Sequence, residues 1–363
     1  MNKTLKTVLI VGGALLIAGA ALFAAAVLMG GSPKNILESE KGSYITGGVS
    51  VNVTGDGVNV TVPGGDVPSQ EWTEFSKLFS GEGWSELGNV YSETGEYSCP
   101  ASTDDVDIEW ISGSVRVEPY DGDEIMLKET VQGGAAVAKE DALGWGIREG
   151  VLYIRYCGRE MRSDIPAKEL AVLLPRAVAE KMAKLELDTA SADMSVSGIT
   201  CGELAFDSAS GSLTAQDCAV RKAEVNTTSG DVQLSGEILM LDVVTASGAV
   251  RAQTSKSGAA ADVESVSGGV ELIGFRQNEA GTAGGAVTIE TPEATDIDVE
   301  TVSGEVTLLL SEKAEFTLDY ETVSGELSCD FATVQNGGKY ICGGGGTTIE
   351  VGSTSGGLKV KYA

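Results

Sequence analysis

The chain has 363 residues, of which 42% are hydrophobic and only 6% aromatic, and it contains 48 glycines, no histidine and a formal net charge of −28. So acidic a chain repels phosphate backbones, which excludes nucleic acid as a partner. The lack of histidine removes the usual proton shuttle at neutral pH and the commonest metal ligand. Abundant glycine with few aromatic residues favours a turn-dense β protein over packed helices.

The amino-terminal segment predicts a membrane anchor. Residues 7–29 (TVLIVGGALLIAGAALFAAAVLM) contain no charged residue, and a helix of this length spans a hydrocarbon core of ~30 Å. Lys3 and Lys6 precede it without any acidic residue. The positive-inside rule therefore places residues 1–6 in the cytoplasm and the rest of the chain outside the cell membrane. A cleaved signal peptide is the alternative, since Ala24-Ala25-Ala26 resembles a cleavage site.

Residues 30–93 are predicted to link the anchor to the main domain. Within them, VSVNVTGDGVNVTV (residues 49–62) alternates with the period of a strand and is broken by glycine, which indicates a tether or a weak hairpin. The stretch PSQEWTEFSKLF follows, and its three aromatic residues lie on one face of a short helix over 69–79. Because the polar face of this helix carries glutamates, we expect it to pack on the main domain.

The rest of the chain repeats a Ser-Gly unit. We number each unit by its glycine, or by the residue equivalent to it, and call that residue position 0. Successive units are separated by 17 to 21 residues, and a longer interval precedes the last. The nine units are 192, 211, 230, 248, 268, 285, 304, 325 and 356. Self-similarity near 19 residues is the sequence sign of a solenoid.

The columns of the repeat predict two strands per unit. Positions +2 and +4 are apolar in all nine units, and positions −7 and −5 in eight; unit 285 has Asn278 and Ala280 there. A period of two identifies strands with one buried face. Position −3 always carries a hydroxyl. We expect −7, −5, −3, −1, +2 and +4 to face inward, so that the alternation slips at Ser-Gly.

This slip predicts a corner at each Ser-Gly. Glycine suits such a corner because it accepts positive φ and lets neighbouring backbones approach closely. A small serine at −1 fits the crowded inside of the bend, where its hydroxyl bonds free backbone groups. In the last complete repeats, we expect Thr301 and Thr322 to stack inside the solenoid. We also expect Val306 and Leu327 to share one core column.

The sequence places the solenoid over residues 94–363. Looser copies of the unit surround Gly113 and Gly150, so the solenoid begins near residue 100. The stretch PRAVAEKM (residues 175–182) is predicted either as a helix or as one helical turn between strands, since it lies between LAVLL and KLEL. In the final strand, Lys359 and Lys361 fall on the outward face, where charge discourages pairing with other chains at an edge.

From about Thr94 onward the chain resembles a bacterial family of β-strand repeats of unknown function, known as "putative adhesin" and grouped with toastrack-like domains. The resemblance rests on EYSCPASTDDVDIEWISGSVRVEPYDGDEI, on LAVLLP followed by KLELDTASADMSV, and on NTTSGDVQL, ETVSGEVTL and TSGGLKV. It implies a single-stranded β-helix outside the cytoplasmic membrane, with adhesion or stress-sensing roles. It transfers no catalytic residue. The insertion GGKYICGGGGTTIE departs from the family pattern.

No catalytic, cofactor-binding or metal-ligating residue is assigned from the sequence. Acidic residues beside the corners, such as Asp231, Glu305 and Glu326, are interpreted as a solvated face, because the calcium-binding pattern G-G-x-G-x-D is absent. Gly343–Gly346 lacks the Lys-Ser/Thr of a phosphate loop and is predicted as a turn. The repeated hydroxyls at −3 have no base beside them and are interpreted as packing elements. Arg148–Lys184 is relatively basic; it is a candidate contact for a wall polymer, or a solvated face.

The six cysteines form no CxxC pair, so a zinc site is not expected. They allow three disulfides in fifteen connectivities, or they are buried thiols. The cysteines are Cys99, Cys157, Cys201, Cys218, Cys329 and Cys342.

We therefore predict an all-β, single-stranded β-helix behind one transmembrane helix, acting outside the cell as a non-enzymatic adhesion, scaffold or envelope-stress interaction module. Its expected partners are the membrane and an envelope protein or cell-wall polymer. Two alternatives remain open. One is a carbohydrate-active β-helix enzyme that uses carboxylates. The other is an acidic binder of cationic peptides.

Overall fold

The computed structural model describes residues 91–157, 165–291 and 296–363, and the backbone of four strands between residues 43 and 66. The predicted transmembrane helix (7–29) and short helix (69–79) lie outside the described residues. Among the residues that are described, no helix is both long and apolar enough to cross a bilayer. The four early strands form an antiparallel sheet in chain order, and the hairpin predicted over 49–62 is its central pair. They are β1 (Ser43–Thr46), β2 (Val49–Thr54), β3 (Gly57–Val62) and β4 (Gly65–Asp66).

The main domain contains the remaining strands and one helical turn among its described residues, α1 (Arg176–Ala179). Of the two alternatives for PRAVAEKM, the single turn is therefore the one observed. In chain order its strands are β5 (Glu96–Cys99), β6 (Asp105–Trp110), β7 (Gly113–Tyr120), β8 (Ile125–Val131), β9 (Gly144–Arg148), β10 (Val151–Arg155), β11 (Lys168–Pro175), β12 (Met182–Thr189), β13 (Asp193–Ser197), β14 (Thr200–Ser208), β15 (Leu213–Thr227), β16 (Val232–Thr245), β17 (Val250–Thr254), β18 (Ala260–Ser265), β19 (Val270–Ile273), β20 (Gln277–Thr282), β21 (Val287–Thr291), β22 (Asp296–Thr301), β23 (Val306–Leu310), β24 (Phe316–Thr322), β25 (Leu327–Cys329), β26 (Thr333–Asn336), β27 (Lys339–Cys342), β28 (Thr347–Ser353) and β29 (Leu358–Tyr362).

These strands form a β-solenoid with two parallel stacks that share one core. Sheet A runs β10, β6, β12, β14, the second half of β15, the second half of β16, β18, β20, β22, β28 and β24. Sheet B runs β11, β7, β13, the first halves of β15 and β16, β17, β19, β21, β23, β29 and β25. Eleven strands at ~4.8 Å spacing make a stem about 48 Å long.

The core consists of the columns that the repeat predicts. Leu204 and Phe206, at −7 and −5 of unit 211, are buried, as are Leu213 and Ala215 at +2 and +4. Asn278 faces the core as well, although it is polar, because its strand stays in register with its neighbours. Its amide nitrogen donates to the carbonyl oxygen of Phe275 at 3.1 Å. The binary pattern therefore fixes the buried face of each strand.

At the corner, the structure corrects the prediction for positions −1 and 0. Position 0 faces inward, as at Gly248, whereas the serine at −1 faces solvent, as at Ser247. The Ser247 amide and hydroxyl both donate to the Thr228 carbonyl oxygen of the preceding coil, at 3.0 and 3.4 Å. Serine therefore joins adjacent corners from outside, and the inward pattern is −7, −5, −3, 0, +2 and +4.

Glycine is required at the corner by close approach and not by a positive φ. Gly248 is absent from the glycines with positive φ, which are found elsewhere, for example at Gly236 and Gly258. A Cβ on Gly248 would lie 2.7 Å from the carbonyl carbon of Gly230 and closer still to its oxygen. The hydroxyl of Thr245 at −3 accepts the Gly248 amide hydrogen at 3.1 Å. The hydroxyl column thus bonds backbone groups of the corners: a threonine such as Thr245 accepts from an amide, whereas Ser208 and Ser265 donate to a carbonyl oxygen.

The coils at the carboxyl end do not stack in sequence order. β28 and β29, which belong to unit 356, lie between unit 304 and unit 325, and the coil of unit 325 is outermost. The core column therefore contains Val306, Leu358 and Leu327 in this spatial order. The strand of Leu358 separates Val306 from Leu327. Thr322 is exposed, contrary to the prediction, because its coil is the end of the stack.

The lysines of the last strand, Lys359 and Lys361, consequently lie inside the sheet and not at its edge. The short strand β25 forms this edge of sheet B. Beside it, Val323 is 83% exposed. The charge predicted to protect the edge is therefore one strand away from it.

The amino-terminal end shows the same arrangement. The outermost parallel coil consists of β10 and β11. β6 and β7 lie between it and the coil of β12 and β13, although β10 and β11 come later in the sequence than β6 and β7. Antiparallel strands cap this end: β9 pairs with β10, and β8 and β5 extend sheet B beyond β11. The first segment of the solenoid, β6 and β7, therefore forms its second coil.

All six cysteines are thiols in the structure. Five of them are buried, and Cys329 is partly exposed. Of the two alternatives, this supports thiols that pack as small hydrophobic side chains.

Candidate functional site

The outward side of sheet A carries a continuous row of carboxylates. Position −6 is in register from coil to coil, and its side chains point away from the core. Nine of its ten residues from β6 to β24 are acidic, in the spatial order Asp107, Glu186, Ala205, Glu224, Asp242, Asp262, Glu279, Asp298, Glu350 and Asp319. We call this row, with its neighbours at −4, the acidic face.

The column at −4 adds further carboxylates beside the first. Six of its ten residues are acidic, in the order Glu109, Asp188, Asp207, Asn226, Val244, Glu264, Gly281, Glu300, Gly352 and Glu321. Strands in register are ~4.8 Å apart, a distance at which like charges repel appreciably. The acidic face therefore attracts counter-ions and cationic groups.

At the amino-terminal end, a buried arginine neutralises part of this face. Arg155 lies 2.7 Å from Asp107 and 2.9 Å from Glu109, measured from guanidinium nitrogen to carboxylate oxygen. The second oxygen of Glu109 has no hydrogen-bond partner. Burial raises the pKa of Glu109 from 4.5 to about 7, against the opposing effect of Arg155. Glu109 thus titrates much closer to neutral pH than an ordinary glutamate does.

Elsewhere on the face, lysines pair with some of the carboxylates. Lys184 lies 3.1 Å from Glu186, and Lys222 pairs with Glu224. Burial, together with the negative charges of neighbouring carboxylates, raises the pKa of Asp188 and Asp207. At the amino-terminal half of the acidic face, the crowding of carboxyl groups therefore opposes their full ionisation.

The outward side of sheet B differs in charge. Position +3 runs in register over the same ten coils and contains one carboxylate and three cations. Its residues are Arg116, Ser195, Thr214, Gln233, Arg251, Glu271, Thr288, Thr307, Lys359 and Ser328. The two rows thus differ in charge: the row at −6 is acidic, whereas the row at +3 is mostly neutral and polar.

Asp231 and Glu305, which the sequence analysis names as acidic residues beside the corners, do not belong to the acidic face. Asp231, at +1, accepts a hydrogen bond from the amide of Ala249 at 2.9 Å, and Glu305 pairs with Lys359 at 2.6 Å. Both lie on the sheet B side. The row at −6 is not among the residues predicted from the sequence, although an alignment of the repeats around position 0 contains it.

Of the described cations in the candidate basic region, Arg148–Lys184, four are buried or paired. Arg155 and Lys168 are buried, and Arg176 pairs with Asp121 at 2.6 Å. Lys184 is paired on the acidic face. Two further arginines, at positions 159 and 162, lie outside the described residues.

The geometry gives little room for chemistry on the acidic face. A notch forms at Gly281, because glycine places no side chain in the column at −4. Asp262, Glu279 and Asp298 lie around this notch. Its volume of about 30 Å³ matches one water molecule and not a sugar ring. Among the described residues, no group of three or more cysteine, aspartate or glutamate side chains is arranged to hold a metal ion. Gly343–Gly346 is a turn, as predicted, between β27 and β28.

Comparisons with known proteins identify a family. The family model described as Toastrack DUF4097 matches residues 37–280 and 158–361. No curated protein matches the chain. Among solved structures, a "putative adhesin" from Parabacteroides distasonis ATCC 8503 is 12% identical, with 74% of this chain and 95% of that chain covered and a TM-score of 0.44.

Two further solved structures are similar over the same share of the chain. A "putative lipid binding protein" from Parabacteroides distasonis ATCC 8503 is 15% identical, with 74% of this chain and 95% of that chain covered and a TM-score of 0.42. A "putative cell adhesion protein" from Clostridium sporogenes ATCC 15579 is 14% identical, with 74% and 99% covered and a TM-score of 0.18. At these TM-scores the similarities assign no function.

Proposed function

The chain belongs to the Toastrack DUF4097 family, and we propose that it is a non-enzymatic interaction module that binds a cationic partner through the acidic face of its stem. The observation that carries this proposal is the row at −6, where nine of ten successive coils present a carboxylate. Regularly spaced charges of one sign raise the local concentration of a cationic partner and its rate of association.

The opposite face makes the proposal specific. The row at +3 on sheet B contains one carboxylate, Glu271, which pairs with Arg251 at 2.6 Å. A cationic partner approaching the stem therefore experiences a field that favours one side. Binding that arises only from the net charge of −28 would have no such preference, and this difference can be tested.

Residues 7–29 anchor the module in the cell membrane under this proposal, and residues 30–93 connect the anchor to the solenoid at 94–363. The support is the uncharged run behind Lys3 and Lys6. The solenoid then lies outside the cell, where its partners are an envelope protein or a cell-wall polymer that carries amino groups. Protease added to intact cells should degrade the solenoid; a solenoid protected until the membrane is opened would contradict this orientation.

Binding is tested with the full chain in detergent and a lysine-rich peptide as the probe. Replacement of Asp242, Glu300 and Glu350 by the corresponding amides removes three charges from the acidic face. Affinity should fall several-fold at low ionic strength, and the difference should shrink as salt screens the charges. The matched control replaces three acidic residues away from that face, Glu290, Glu312 and Glu326, by glutamine. An equal loss of affinity in both variants would refute the assignment to the acidic face.

A further inference from the structure

A lysine and a glutamate face each other without solvent in the amino-terminal cap of the solenoid. The Nζ atom of Lys168 lies 3.2 Å from Oε2 of Glu129, and both side chains are 0% exposed. They lie on neighbouring antiparallel strands, β11 and β8. The proposed cation-binding role of the acidic face does not involve either residue.

The amine of Lys168 is held in a defined orientation. It donates to the carbonyl oxygen of Asp141 at 2.8 Å and to that of Tyr156, and to Oε2 of Glu129. The rings of Trp110 and Tyr156 cover it, with centroids 4.9 and 4.3 Å away. Two of the three amine protons are therefore held by backbone oxygens, and the third lies on the axis toward Glu129.

The carboxyl group of Glu129 is held as well. Its Oε1 atom accepts hydrogen bonds from the Tyr97 hydroxyl at 2.7 Å and from the Leu143 amide at 3.0 Å, and the same amide also lies within hydrogen-bond distance of Oε2, at 3.1 Å. Two donors that converge on one carboxyl oxygen can stabilise the negative charge that develops there when a nucleophile adds to the carbon. The same cage excludes water, which would otherwise solvate the ionised pair.

We propose that Lys168 and Glu129 condense to form a side-chain amide bond between β11 and β8. First, the proton on the axis moves from Nζ to Oε2, because the closed cage favours the neutral pair over the ionised one. Burial also lowers the pKa of Lys168. The amine then carries a free lone pair beside the carboxyl group.

The bond-forming step balances without any co-reactant. The Nζ–Cδ bond forms while an electron pair moves onto Oε1, where Tyr97 and Leu143 hold it. The pair then returns, the Cδ–Oε2 bond breaks, and a second proton passes from Nζ to the leaving oxygen. One water molecule is released and nothing is oxidised or reduced. The amide keeps one N–H, for which the Asp141 and Tyr156 carbonyl oxygens are acceptors.

The test is the mass of the purified full chain and of its proteolytic peptides. We expect one linked peptide that joins the segments containing Lys168 and Glu129 and is lighter than their sum by one water. Lys168→Arg keeps the positive charge but lacks a nucleophilic amine, so its peptides should remain separate. Tyr97→Phe removes one donor to Oε1 and should leave a mixture of linked and separate peptides shortly after refolding.

An internal control is present in the same digest. Lys184 lies 3.1 Å from Glu186, but both side chains are more than a third exposed, so that pair should stay unlinked. Separate Lys168 and Glu129 peptides in the folded wild-type chain would overturn the proposal. A linked peptide that persists in Lys168→Arg would overturn it too, since the link would then involve other residues.

Discussion

Gly268 and Gly269 are adjacent residues whose replacement by alanine should have opposite outcomes. A Cβ on Gly268 would lie 2.7 Å from the carbonyl carbon of Gly248, closer still to its oxygen, and 3.1 Å from the hydroxyl of Ser265. A Cβ on Gly269 would meet nothing closer than the Ala286 carbonyl oxygen at 3.7 Å. Neither glycine has a positive φ. The pair therefore separates close approach from backbone conformation.

The expected magnitude follows from the displacement that the new methyl group requires. An ordinary contact of a Cβ atom is 3.4–4 Å, and contacts under 3.0 Å essentially never occur, so the coils at unit 268 and unit 248 must separate in a sheet whose strands lie in register. Overpacking of this kind costs about 3 kcal/mol. For a domain of this size, that corresponds to a fall in melting temperature of roughly 6–12 °C. Gly269→Ala should change stability by about 0.5 kcal/mol or less.

Far-UV circular dichroism of both variants, melted under identical conditions, measures this difference. Equal melting temperatures for Gly268→Ala and Gly269→Ala would refute the conclusion that glycine is needed at position 0 for close approach. Gly325→Val on the outermost coil tests the same cause in a second place, since a Cβ there would collide with the Gly356 carbonyl oxygen. Its cost should be smaller than at Gly268, because an end coil can move outward.

Three further outcomes are expected. Thr245→Val removes the acceptor of the Gly248 amide and should destabilise the stem by about 1–2 kcal/mol, whereas Thr322→Val on the exposed end coil should cost less in the same denaturation assay. The pKa of Glu109 is raised in the folded state to about 7, so the folded chain binds a proton more tightly than the unfolded one. This contribution to stability is lost as pH rises from about 4.5 to 7. Glu109→Gln should flatten the pH dependence of the melting temperature across this range, and an unchanged slope would contradict the reasoning. Burial raises the pKa of Cys99 and Cys201 to about 12, so iodoacetamide should label neither thiol in the native chain at neutral pH and both after denaturation, as read by mass spectrometry.

The repeat predicts the strands and their buried faces because both depend on local periodicity. Leu204, Phe206 and Leu213 lie in the core where the period of two places them. The orientation of the corner was predicted incorrectly, since −1 and 0 are adjacent and only the contact with the preceding coil decides which one faces inward. Glycine at 0 and serine at −1 are compatible with either choice in a single unit.

The order of the coils could not be predicted from the repeat for a different reason. Every unit presents the same apolar columns, so unit 356 fits against unit 304 as well as unit 325 does. Val306 packs beside Leu358 with the same kind of contact that Leu327 would have made. A pattern that is equivalent in all units specifies stacking but not its sequence. The acidic face depends on that order only weakly, because −6 is acidic in all but one of these coils.

The placement of the terminal coils affects how the stem opens. At the carboxyl end, the last segment of the solenoid sequence lies one coil inside, so the outermost coil of β24 and β25 is joined at both of its ends to strands within the stack. Peeling this outermost coil therefore frees a closed loop and no chain end. Tension applied beyond β29 would have to slide β28 and β29 between two neighbours at once. Such a stem should resist pulling by shearing whole rows of backbone hydrogen bonds together, which requires more force than opening them one after another.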